Sequence, residues 1–83
     1  VGSDNTRRAA EAAQLLDNPL LNEAFDSVRS AAVHAWEMTK ADDTQSREIA
    51  WLTVKVLARI KGELQSIVDD GRIAAARVQA PLR

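Results

Sequence analysis

Eighty-three residues with no cysteine and one histidine make one domain at most, and a chain of this length buries only about 60 to 65% of the surface its unfolded form exposes. Disulfides are thereby excluded and a structural metal is left almost without ligands, so self-association is the expected source of extra stability. A net charge of −1, with 46% hydrophobic and 28% charged residues, excludes a disordered polyelectrolyte and supplies no basic excess for nucleic acid.

The sequence predicts a first helix over about residues 4–16, capped by Ser3 or Asp4, with Ala9, Ala13 and Leu16 on one side. Alanine permits close backbone approach but contributes little burial energy, so this helix needs a partner. Asp17-Asn18-Pro19 punctuates the chain: Asn18 suits a cap, Pro19 suits a first helical position, and proline disfavours helical geometry at the residue before it. A second helix is expected over 19–38, with Leu21, Ala24, Phe25, Val28, Ala31, Ala32 and Ala35 in one stripe and Glu23, Asp26, Ser30, His34 and Glu37 opposite.

Residues 39–43 form a short polar connection, in which Asp42 and Gln45 have the spacing of a capping box. A third helix is expected over 43–70, its main face formed by Ile49, Leu52, Val56, Leu57, Ile60, Leu64 and Ile67. Gly71 is placed to end it in a left-handed conformation, before a short fourth helix over 72–79 that Ala80-Pro81 terminates. Two long amphipathic helices joined by so short a connection predict an antiparallel helical hairpin. The expected fold is therefore all-α: that hairpin, with short N- and C-terminal helices, completed as a bundle by oligomerisation.

No catalytic, cofactor or metal residue is assigned. Nucleophilic catalysis needs a nucleophile, a base and an orienting group within reach of one another, whereas His34 falls on the polar side of the second helix. His34 and Glu37 reverse the Glu-x-x-His order of di-iron bundles and face away from the apolar stripe. Gly2, Gly62 and Gly71 are isolated and form no phosphate loop.

Residues 1–44 carry four basic and eight acidic side chains and residues 45–83 carry seven and four, so the halves are −4 and +3. Complementary packing of an acidic and a basic helix accounts for this better than a duplex-binding face, because Glu48, Glu63, Asp69 and Asp70 interrupt Lys55, Arg59, Lys61, Arg72 and Arg77. No apolar run approaches the roughly 20 residues that span a bilayer, and the first residues lack the basic-then-apolar pattern of a signal peptide. A soluble, non-secreted protein is expected.

One feature of the third helix exceeds what a hairpin requires. Trp51, Val54 and Ala58 recur at i, i+3 and i+7 on its far face, with Gly62 one turn beyond, and Val33 and Trp36 make a second apolar site on a flank of the second helix. Apolar patches and tryptophan mark interfaces, so these six residues are the candidate protein-interaction positions, the alternative being burial under the terminal helices of the same chain.

The run Ala12-Ala13-Gln14-Leu15-Leu16-Asp17-Asn18-Pro19-Leu20-Leu21-Asn22-Glu23-Ala24-Phe25, followed by Ala35-Trp36, Asp43-Thr44, Arg47-Glu48 and Gly71, resembles a group of small helical proteins encoded by tailed bacteriophages. The resemblance covers residues 8–75 and carries no activity onto particular positions. It implies a phage or prophage setting among virion-assembly genes, hence a place in the virion or the host cytoplasm. The expected function is a non-enzymatic virion structural or assembly protein that forms a homo-oligomer and contacts other virion or host proteins. A small terminase-like packaging subunit that binds nucleic acid, and a small inhibitor of a host protein, are the alternatives.

Overall fold

In the computed structural model, which describes residues 2–79 and the side chains of residues 4–77, the punctuation read from the sequence separates three helices: α1 (Gly2–Leu16), α2 (Pro19–Glu37) and α3 (Thr44–Gln79). The fold is all-helical, with no strand among the described residues. Helix α1 closes with the Asp17 amide donating to the Ala13 carbonyl and the Asn18 amide to the Leu15 carbonyl, and Pro19 then opens α2, where its missing N–H leaves no intrahelical bond unmade.

The end of α2 and the start of α3 are fixed by hydrogen bonds. The Thr39 hydroxyl donates to the Trp36 carbonyl at 2.7 Å. Asp43, rather than the expected Asp42, caps α3: its carboxylate accepts the Ser46 amide at 3.1 Å. The reason is a turn in which the Asp43 amide donates to the Lys40 carbonyl, which brings residue 43 to the helix entrance. Arg47 ties this turn down by donating to the carbonyls of Lys40 at 2.7 Å and Ala41 at 3.0 Å.

Helix α3 does not stop at Gly71, and residues 72–79 are not a separate helix: α3 runs on to Gln79, and no described glycine has positive φ. Gly71 is instead buried. A β-carbon there would collide with the Ala9 β-carbon and lie 3.1 Å from the Asn5 carbonyl oxygen, so the glycine serves the close approach of α1 to α3. The helix-propensity cost of about 1 kcal/mol is borne because packing against α1 compensates it. Termination at Ala80-Pro81 lies outside the described residues.

The chain divides into two compact units, Val1–Asn18 with Lys61–Arg83 and Pro19–Ile60. In the first, Ala12 and Val68 are buried with Gly71, and Ala9, Ala13, Leu16 and Leu64 are half-buried. Two ion pairs in this unit, Arg7 with Asp4 at 3.9 Å on α1 and Arg72 with Asp69 at 4.0 Å on α3, each join exposed neighbours on the same helix and contribute little. In the second unit, Ala32 and Ala50 are buried, and Leu21, Phe25, Val33, Val54 and Leu57 are half-buried.

The stripe expected to be the main face of α3 is largely not its interior. Ile49, Leu52, Val56 and Ile60 are exposed, Ile49 by 59%. The covered positions are instead Arg47, Ala50, Val54 and Leu57 in the second unit, and Lys61, Leu64, Val68, Gly71 and Ala75 in the first, each set alternating steps of three and four residues. That is the 3.5-residue repeat along which paired helices keep one seam in contact. Ala50, Gly71 and Ala75 allow close approach along it, while Leu57, Leu64 and Ile67 of the expected row are half-buried and only Ile49, Leu52, Val56 and Ile60 are left outside.

Candidate protein-interaction site

Within the second unit, α2 presents Val33 and Trp36, and α3 presents Trp51 and Val54, around a floor made by the buried methyl groups of Ala32 and Ala50. Together they enclose an apolar groove of about 160 Å³. Because the alanines take up so little space, the larger residues on either side stand as walls. Trp36 and Trp51 remain 52% and 57% exposed. The Lys55 Nζ lies 5.4 Å from the centre of the Trp51 ring, a cation–π contact across one turn of α3 that holds charge at the groove's edge.

The structure thus brings together four of the six candidate residues, drawn from two helices that the sequence treats as separate sites. Ala58 is exposed on α3 and does not line the groove. Gly62 belongs to the other unit, and a β-carbon there would meet no atom within 4 Å. Neither tryptophan is fully covered or fully free, so burial within the chain and availability to a partner coexist at this site. An apolar side chain inserted between two indoles over a dry floor would lose water on every side, the usual setting of an interface anchor.

Sequence reasoning missed Ile49, Val56 and Ile60 as surface residues because it assigned them to the core. The signal for the covered row is its regular three-and-four spacing, which runs through Arg47 and Lys61 as well as the apolar residues, and not its hydrophobicity. A larger depression of about 470 Å³, lined by Pro19, Asn22, Glu23, Asp26, Ser27 and Ser30, is open to solvent and formed by α2 alone.

Electrostatics adds one perturbed group. The Asp43 carboxyl is held below the usual carboxylate range, first by the Ser46 hydroxyl, then by the Ser46 amide, with a smaller contribution from the Arg47 charge. These interactions hold a helix cap and not a reacting group. Among the described residues no cluster of three or more metal-ligating side chains occurs, no buried polar side chain is left unsatisfied, and no helix is long and apolar enough to cross a membrane. No known family model, curated protein or solved structure matches the chain.

Proposed function

We propose that this chain is a non-enzymatic assembly protein that works through its helix surfaces as a homo-oligomer, with α2 and the first part of α3 forming an antiparallel hairpin completed as a bundle by further copies. The observation that carries the reading is an inversion of the usual burial order. The buried apolar side chains are Ala12, Ala32, Ala50 and Val68, whereas Trp36, Trp51, Ile49, Leu52 and Val56 are all at least half exposed. A chain that leaves such large apolar groups exposed gains further hydrophobic stabilisation on association.

The phage resemblance supplies the setting, a virion structural or assembly component that engages its own copies and other virion proteins, with the Trp36 and Trp51 groove as a contact. Light scattering over a dilution series tests it. We expect a mass above 9.1 kDa that falls on dilution. Replacing Trp51 with Glu should lower the assembly mass by placing charge in the groove, while Ser30→Glu on the polar side of α2 should change little. A wild type that remains at monomer mass at the highest concentration overturns the reading. Copurification with mature particles supports the virion setting. Duplex binding at about 150 mM salt that weakens linearly on a logarithmic salt plot would replace it with the packaging subunit.

A further inference from the structure

The residues that flank the tryptophan groove are sorted by charge along the second unit. Taking buried Ala32 as the centre of α2 at about 100° per residue, Arg29 and Glu37 lie on the flank of Val33 and Trp36, about one turn to either side of Val33. On α3, Glu48 and Lys55 stand about one turn to either side of Trp51, and Lys55 already lies over its ring. All four charged residues are exposed. The grooves set which residues lie level: Ala32 and Val33 line one with Ala50 and Trp51, and Phe25 lines another with Leu57. By that register Arg29 and Lys55 stand at one end of the tryptophan groove, and Glu37 and Glu48 at the other.

The wider sequence follows the same division. Residues 37–48 carry four acidic and two basic side chains, whereas 19–31 and 54–60 together carry two acidic and three basic. Of the two basic groups at the acidic end, Arg47 is committed to the carbonyls of Lys40 and Ala41. Between the ends, residues 32–36 and 49–53 hold His34 as their one ionisable side chain, on the far side of α2 by the same wheel. An apolar groove therefore lies between an acidic end and a basic end.

We infer that this groove is the homotypic contact, closed by the same groove of a second copy turned end for end, with the two-fold axis crossing the helices at the level of Val33 and Trp51. Charge decides both the occupant and the axis. A surface acidic at one end and basic at the other complements itself when one copy is reversed. Arg29 then faces Glu37 of the second copy, and Lys55 faces Glu48 of the second copy, each pair occurring twice by symmetry. Asp26, a turn beyond Arg29, falls toward the second copy's connection, which carries Lys40. The other way of laying groove on groove, a two-fold axis parallel to the helices, sets Arg29 against Lys55 and Glu37 against Glu48, and like-charge repulsion opposes it. Exposed ion pairs contribute little affinity. The indoles and valines supply it by covering one another around the axis, while the charges fix the register.

The inference rests on the antiparallel hairpin and the self-association proposed above, and the test separates them. Arg29→Glu and Glu37→Arg each change an exposed residue, so helical circular dichroism should be retained. Each alone should lower the mass seen by light scattering toward 9.1 kDa, because like charges then meet at both ends. Combining them in one chain should restore the wild-type mass, as every pair is again opposite. Since the chain has no cysteine, Val33→Cys gives an independent reading. Residue 33 lies at the axis, so oxidation should yield a disulfide-linked pair at about twice 9.1 kDa, while Ser30→Cys on the polar side of α2 should yield little. A single reversal that raises the mass, a double variant without recovery, or equal cross-linking from Ser30→Cys overturns the crosswise axis. If neither reversal changes a wild-type mass above that of one chain, the copies associate elsewhere: this inference falls and the assembly reading stands. A wild type that is monomeric at the highest concentration overturns both.

Discussion

Two glycines in one helix show how the same residue type can have opposite consequences. Gly71 lies against Ala9 and the Asn5 carbonyl, whereas Gly62 faces open space, and both have ordinary negative φ. Gly71→Ala gains about 1 kcal/mol of helix propensity but forces a methyl group into a filled contact, which costs about 1 to 3 kcal/mol. A net loss of up to about 2 kcal/mol is expected. Gly62→Ala has the propensity gain without the collision and should stabilise the chain by about 0.5 to 1 kcal/mol. Urea midpoints at one fixed protein concentration decide the matter, and two shifts of the same sign would contradict the packing described for Gly71. The sequence showed that Gly71 was special without showing why. A glycine that ends a helix and one that admits a neighbouring helix look alike until the neighbour is in place.

At the scale of the helix, the entrance of α3 depends on a charged cap. The Asp43 carboxyl has a folded-state value below the ordinary one because the protons of Ser46 and the charge of Arg47 favour its ionised form. Its contribution to stability is therefore fully present above the ordinary value and is lost as pH falls through the depressed one, a window below about pH 4. Helicity followed by circular dichroism during acid titration should fall in that window. Asp43→Asn keeps a good cap without a titrating charge and should flatten this part of the titration, while Asp43→Ala should lower helicity already at neutral pH. An Asn variant that titrates like the wild type would remove Asp43 from the explanation. Helix boundaries were legible here because proline, short polar segments and cap residues act locally, and the cap itself was misread by one position. The covered face of α3 was not legible in the same way. A wheel weighted by hydrophobicity selects Ile49, Leu52, Val56 and Ile60, while helix pairing rewards the small seam through Ala50, Val68 and Gly71.

For the molecule as a whole, the proposed self-association predicts that stability rises with protein concentration, because an alanine-built interior leaves large apolar side chains exposed among the described residues. The tryptophan residues could be singled out from the sequence as surplus apolar groups. Their meeting in one groove could not, since it depends on which residues of α2 and α3 come level across the 38–43 connection.

That meeting of indoles has a practical consequence. The chain contains two tryptophans and no tyrosine, and both tryptophans line the same groove, with an ammonium group beside one ring. Intrinsic fluorescence therefore reports on this one location, without labels. Filling the groove with an apolar partner should move emission to shorter wavelength and protect both indoles from an added aqueous quencher, whereas contacts that leave the groove open should leave the spectrum nearly unchanged. A titration followed simultaneously by light scattering and emission would separate the two kinds of contact in a single cuvette. A spectral shift that tracks the rise in mass in the Trp36→Phe and Trp51→Phe variants alike would show that self-association itself fills the groove.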